Sequence, residues 1–240
     1  MKVAVINFSG NVGKSVVAKN LLLPRIPNAA FVAVETINRD EDVGEKIKGS
    51  QFVSLHKELI LADDVVVDVG SSNVEVFISL MSENEGSHEE FDLFVVPTVS
   101  DKKQVQDTIG TIEALSALGV EKENIRLIFN RVNITDDLEE TFYQLFAYHK
   151  DANNFTLSTR ATIRLNEVYQ ELRQYNTDIE TILSKSKQEY KAELREALKE
   201  GDRAAVERAR DFVSIFGLAK SARQNLDEVF EVITEGLCNE

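Results

Sequence analysis

Residues 6–15 read Ile-Asn-Phe-Ser-Gly-Asn-Val-Gly-Lys-Ser. The closing Gly13-Lys14-Ser15 is how a phosphate-binding loop ends, but the ordinary pattern G-x-x-x-x-G-K-[ST] also asks for glycine at position 8, where this chain has Phe8. The flanks help decide the reading. Upstream, Val3–Ile6 is a short β-branched run of the kind buried on both faces of a sheet; downstream, Ser15–Leu23 has helical spacing and stops at Pro24.

Strand, tight loop and helix in that order are what anion binding needs. Backbone N–H groups at a helix N-terminus have no intrahelical acceptor, and the helix dipole favours negative charge there. Glycines permit the tight path, the lysine reaches the β- and γ-phosphates, and the serine hydroxyl is placed for Mg²⁺. The candidate cradle is therefore Ser9, Gly10, Asn11, Val12, Gly13, Lys14, Ser15 and Val16. The competing reading is a tight β-to-α turn whose lysine is merely solvated.

Four more short apolar runs follow: Phe31–Val34, Val65–Val69, Leu93–Val96 and Ile125–Phe129. Each is too short for a helix, and each reads as a buried strand. Helical spacing lies between them at Ser72–Ser82, at Lys102–Leu118 before Gly119, and at Asp136–Tyr148. Alternating strands and helices imply βαβ units and a parallel sheet. From about Thr159 the strand signal stops, and the rest reads as helices interrupted at Asn176-Thr177, Gly201-Asp202 and Gly217. No repeat or Pro/Gly/Ser-rich linker divides the 240 residues, so one domain is expected, with a core over 1–175 and a helical extension over 176–240.

Composition narrows the function. Apolar residues make up 43% and charged residues 28%, ordinary globular usage. No apolar run is long enough to span a bilayer, and the chain enters its first strand without a leader-like segment, so a cytoplasmic protein is expected and a membrane partner is not. The lone Cys238 excludes an internal disulfide or a cysteine metal site. A formal charge of −14 repels polyphosphate at long range, so any contact with nucleic acid must be local or made through a partner.

Val65-Val66-Val67-Asp68-Val69-Gly70 is an apolar strand ending in one acid and a glycine; it resembles a Walker B and switch segment, which implies that Asp68 orients Mg²⁺ or its water, and a turn or cap acid is the alternative. Asp63 and Asp64 belong at the opposite end. After the second strand, Glu35-Thr36-Ile37-Asn38-Arg39-Asp40 stands where the ParA/MinD ATPases place their switch I, and this resemblance implies a water-positioning acid, Asp40 or else Asp42; a solvated charged loop, Arg39 to Glu45, is the alternative. His56, His88 and His149 lie far apart and read as surface residues.

In the register F-S-G-N-V-G-K-S the loop resembles the deviant Walker A of the ParA/MinD ATPases, x-K-G-G-x-G-K-[ST], with Gly10, Gly13, Lys14 and Ser15 matching. The likeness is greatest to the plasmid-stability StbB-type members. Ser9 stands where the family has its signature lysine, and Asn11 replaces its second glycine. Leu93–Thr98 resembles the family's strand before Pro-Thr, with Ser100-Asp101 capping the next helix. Ile128–Val132 resembles its strand ending in Asn-Arg, which implies that Asn130, with Arg131 beside it, reads the base. At the acidic loop Glu35 matches the family's first acid, while Ile37 occupies the place of its second.

The resemblance covers about residues 1–176. It implies an α/β, doubly wound, mostly parallel P-loop NTPase fold with a helical C-terminal part, binding ATP and Mg²⁺. It also implies a nucleotide-controlled homodimer in plasmid partition or stability, working with a DNA-bound adaptor protein. Lys14, Asp68 and Asp40 are the catalytic candidates, and Ser15 and Asp68 the metal candidates. The losses at Ser9 and Ile37 leave open a nucleotide-gated scaffold with little hydrolysis. A dethiobiotin-synthetase-like ATP-dependent enzyme is a further alternative.

Lys185–Arg210 contains eight Lys/Arg and six Asp/Glu, which suits either a solvated face with pairs such as Lys185/Glu189, Glu196/Lys199 and Arg203/Glu207, or a local DNA contact. Leu226, Val229, Phe230, Ile233 and Leu237 form an apolar stripe whose helix has an acidic polar face, which favours core packing or a partner groove over a membrane.

Overall fold

The structure is a computed structural model that describes residues 1–34, 52, 56–57 and 59–237. Six parallel strands form one sheet: β1 (Lys2–Val5), β2 (Ala30–Val34), β3 (Val65–Val69), β4 (Leu93–Thr98), β5 (Ile125–Val132) and β6 (Thr162–Arg164), in the spatial order β2-β3-β1-β4-β5-β6. The chain runs outward from β1 to β2, returns to β3, then crosses β1 to build the other half. The switch point therefore lies at the C-terminal ends of β1, β3 and β4, where open α/β sheets hold ligands. Register places Val5 beside Asp68 and Val95 on either side.

The uninterrupted apolar strand runs have a direct cause. Successive side chains point to opposite faces of the sheet, and both faces are covered over β1, β3, β4 and β5; β2, expected to be buried, is instead an edge strand in which only Val34 is buried. Val3, Val5, Val66, Val95 and Ile128 pack in one cluster with Val17, Ala18, Leu21 and Leu22 of the loop helix and with the C-terminal helices. Ala4, Ile6, Val67, Phe94, Val96, Leu127 and Phe129 pack in the other with α2 (Val74–Glu83), α3 (Lys102–Ala117), and the α4 (Leu138–Thr141) and α5 (Tyr143–Ala152) pair. The expected helix over 136–148 is thus divided at Phe142, which is buried against Phe129 with ring centroids 4.7 Å apart.

The loop helix is α-helical only for α1 (Lys14–Val16) and continues as a π-helix, Val17–Leu22, and a 3₁₀ turn, Leu23–Arg25. Pro24 removes a donor, and the Arg25 guanidinium caps the end by donating to the carbonyls of Asn20 (2.9 Å) and Leu21 (3.0 Å). The same guanidinium reaches Asp227 at 2.6 Å, joining this helix to the C-terminal part.

That part comprises α6 (Val168–Gln174), α7 (Ile179–Leu183), α8 (Lys187–Glu200) and α9 (Arg203–Thr234). The breaks at Asn176-Thr177 and Gly201-Asp202 occur as expected, and Ser186 with Glu189 forms a capping box at the start of α8. Two expectations are corrected. The strand signal does not end at Thr159, because β6 follows; it has three residues, of which only Ile163 is buried, too little pattern to read. Nor does Gly217 interrupt a helix: it lies within the 32 residues of α9.

The stripe Leu226, Val229 and Ile233 is buried in the core, with Phe230 and Leu237 packed against it. Phe212 anchors the upper part of α9 by edge contacts with Tyr175 and Tyr190. Among the described residues no helix is long and apolar enough to cross a membrane.

Because nothing lies within 4 Å of a Cβ built on Gly217 and its φ is not positive, Gly217→Ala removes the helix penalty of glycine without strain. It is expected to raise stability by about 0.5–1 kcal/mol, read as a shift in the denaturant midpoint at unchanged slope.

Candidate functional site

The loop from Ile6 to Lys14 sits at the switch point, and its first anchor is a residue that the motif does not contain. Asn7 is fully buried. Its amide nitrogen donates to the Pro97 carbonyl of β4 (2.9 Å) and to the Thr108 hydroxyl of α3 (2.8 Å), while its amide oxygen accepts from the Ser9 N–H (2.7 Å). Next to it, the Phe8 N–H donates to the Thr111 hydroxyl at 3.0 Å. Both threonine hydroxyls donate in turn to carbonyls one turn back, on Gln104 and Asp107. Two buried hydroxyls one helical turn apart thus fix the entry of the loop. In sequence they are ordinary helix residues, legible only once the loop is set against them.

These contacts explain Phe8. The positive-φ positions of the loop are Asn11 (59°) and Gly13 (91°), and position 8 is not one of them. Phe8 therefore needs no glycine, and its ring packs against the core beneath α3. Asparagine is among the few residues that tolerate the left-handed region, which accounts for Asn11 where the resembled pattern has glycine. Gly10 faces Ser71, whose hydroxyl oxygen would be 3.6 Å from an added Cβ.

Gly13 is fixed twice over. A Cβ there would come within 2.1 Å of the Asn130 amide nitrogen, and φ is left-handed as well. Asn130, buried at the end of β5, donates to the Val12 carbonyl at 2.8 Å and accepts from the Arg131 N–H at 2.9 Å. The structure therefore brings Asn130 to the loop, as a brace of its backbone. Asn130, Arg131 and Val16 also line a cleft of about 200 Å³ that continues with Arg164, Tyr169 and Arg173.

Lys14 is only 8% exposed, and its ammonium donates to the carbonyls of Asn7 (3.1 Å) and Ser9 (2.6 Å). Burial lowers its pKa to about 8, against the opposing pull of Asp68. Asp68 is itself buried beside Val5 of β1, close enough to Lys14 for its charge to be felt there. Ser15 is exposed on the first turn of the helix. Ser9 is buried within the loop, with its carbonyl committed to Lys14.

The candidates Asp40 and Asp42, with Glu35 and Ile37, lie outside the described residues, as does Cys238. The three histidines are half-buried rather than on the surface; His149 packs edge-on against Phe155 and His56 stacks on Phe52. Among the described residues no group of acids, histidines and cysteines is arranged to hold a metal by itself.

Asp63 lies at the far end of the sheet as expected, its carbonyl accepting from the Met1 ammonium. Asp101 caps α3 by accepting from the Lys103 N–H. In the 185–210 segment Lys185 pairs with Glu193 at 2.6 Å rather than with Glu189, which the capping box occupies, and Lys199 pairs with Glu196.

No protein-family model and no curated protein matches the chain. Among solved structures, an ATP complex of a McdA variant from Cyanothece aligns over 98% of this chain and 95% of its own, with a TM-score of 0.50 and 12% identity. The two share a fold, a doubly wound, parallel α/β sheet of P-loop NTPase type with a helical C-terminal part. Lower scores relate the chain to apo McdA from Cyanothece (TM-score 0.48, 13% identity, 92% of this chain and 98% of that one). The same holds for a plasmid partition protein of Borrelia burgdorferi B31 bound to AMPPNP (TM-score 0.46, 16% identity, 70% and 87%).

The threonine anchors can be tested directly. Thr111→Val keeps the shape of the side chain but leaves the Phe8 N–H without its acceptor, an expected loss of about 1–3 kcal/mol in unfolding experiments. Thr111→Ser, which keeps the hydroxyl, should recover most of that loss.

Proposed function

We propose that this protein is a ParA/MinD-like ATPase whose loop from Ser9 to Val16 binds the phosphates of ATP. The observation that carries the reading is the nearness of the buried Lys14 ammonium, at the start of α1, to the buried Asp68 carboxylate of β3, beneath a loop whose tight points are Asn11 and Gly13.

The residues present fit the ligand. A desolvated ammonium with a pKa near 8 is incompletely compensated by two carbonyls, and a polyphosphate would supply the missing negative charge. Ser15 and Asp68 would hold Mg²⁺, which when bound neutralises charge on the β- and γ-phosphates. The base would lie beside Val16 in the cleft that Asn130 and Arg131 border. Chemistry at such a site is mostly positioning and charge neutralisation by preorganised groups. Asp40 remains the candidate for orienting water. The chain acts as a single nucleotide-dependent unit, dimerising around ATP and meeting a DNA-bound adaptor in the cytoplasm, in plasmid partition or stability.

A second reading, a nucleotide-gated scaffold that scarcely hydrolyses ATP, draws on Ser9. It is buried in its own loop, with no cation to offer a partner subunit where the resembled family has a lysine. Single-turnover measurements with Mg²⁺, DNA and the adaptor separate the two. Hydrolysis within minutes supports the working ATPase; bound ATP that persists for hours supports the scaffold.

The nucleotide reading itself stands or falls on Lys14. Lys14→Ala should abolish ATP binding in a calorimetric titration while circular dichroism stays native, and unchanged affinity would sink the reading. A pH series adds a signed test. Bound phosphate should raise the Lys14 pKa, so wild-type affinity should weaken as pH rises above about 8, with proton uptake on binding. Without nucleotide the sign is opposite: the unfolded chain holds more protons between about pH 8 and 10.5, so the contribution of Lys14 to stability rises with pH across that window.

A further inference from the structure

Arg131 adopts a left-handed backbone conformation, φ 57°, at a register shift between Asn130 and Val132 in the β5–β6 ladder. Neither glycine nor asparagine, it carries a steric cost there of about 1 kcal/mol. Bulges of this kind re-aim a side chain, and here the extra residue stands exposed at the rim of the cleft beside the phosphate loop. Two more guanidiniums reach the same cleft from other elements. Arg164 comes from the end of β6, in register with Val132, and Arg173 from α6. None of the three has an ion-pair partner among the described residues, and Glu167 is the one carboxylate among the residues lining the cleft. Three cations against one anion leave a local excess of two in a chain whose formal charge is −14.

A nucleobase is neutral and needs no such charge. With its polyphosphate on the loop, a nucleotide would place its base and sugar toward Val16 and Asn130, which border the arginines. We infer that the Arg131–Arg164–Arg173 cleft is a second anion site and takes a phosphate esterified to the ribose of the bound nucleotide, in addition to the 5′ chain. Arginine suits this because its planar fork donates two parallel, charge-assisted hydrogen bonds to phosphate oxygens. The inference rests on the nucleotide reading above and adds to it a preference for a class of nucleotide.

The test compares ADP with adenosine 3′-phosphate 5′-diphosphate by calorimetry, on the wild-type chain and on Arg164→Gln/Arg173→Gln. Neither of those guanidiniums makes a hydrogen bond among the described residues, so the double variant should keep its fold, verified by circular dichroism and thermal melting. The wild type should bind the 3′-phosphorylated nucleotide about tenfold more tightly than ADP, the scale of charge-assisted hydrogen bonds. In the double variant the ratio should fall to near one with ADP affinity unchanged.

Equal affinity of the wild type for both nucleotides overturns the inference and leaves the nucleotide reading intact. Failure of the wild type to bind ADP at all overturns both. A duplex DNA oligonucleotide is titrated in parallel: if the double variant loses only DNA affinity and the nucleotide ratio does not move, the arginines serve a polynucleotide backbone and the inference is wrong.

Discussion

The amide of Asn7 is the constraint on which the site depends. One fully buried side chain joins the end of β1 to β4, to α3 and to the start of the loop, using both of its N–H groups and its oxygen. A buried amide left unpaired would be costly, so these bonds are enforced by the absence of water as much as by their own strength. With the entry held by Asn7 and Thr111 and the exit by Asn130, the path between is set. Lys14 then meets carbonyls from the very turn that precedes it.

Charge in this protein is arranged in space rather than in amount. The chain is acidic overall, yet its buried ammonium and three exposed guanidiniums gather at the C-terminal ends of the strands, where the loop and the helix N-terminus already favour anions. Acids dominate the opposite end, where Asp63, Asp64, Glu90 and Asp92 surround the Met1 ammonium and Lys2. A long-range negative potential is thereby combined with a short-range concentration of positive charge at one end of the sheet.

Much of this was legible in the residues. Four of the strands, β1, β3, β4 and β5, declared themselves because both sheet faces are covered there, which turns each into an unbroken apolar run. The Gly13-Lys14-Ser15 turn was readable because backbone geometry restricts it, and Asp68 because a lone acid in an apolar strand stands out. What escaped depends on contacts far apart in sequence. Thr108 and Thr111 are unremarkable until Asn7 and Phe8, some hundred residues earlier, are set against them. β6 has a single buried side chain, and Gly217 looks like a breaker although the packing of α9 carries the helix through it. The pairing of Lys185 depended on whether Glu189 was spent on a cap, a competition that spacing alone does not rank.

Gly13 and Asn130 are 117 positions apart, the difference of their numbers, yet they occupy one volume: a methyl group on the first would overlap the amide of the second. Position 8 has no such rival, and a bulky aromatic ring lodges there without disturbing the turn. The loop is therefore held at its entrance through backbone and amide contacts that leave the side chain of residue 8 open to bulk, and at its exit by a volume that admits no side chain at residue 13.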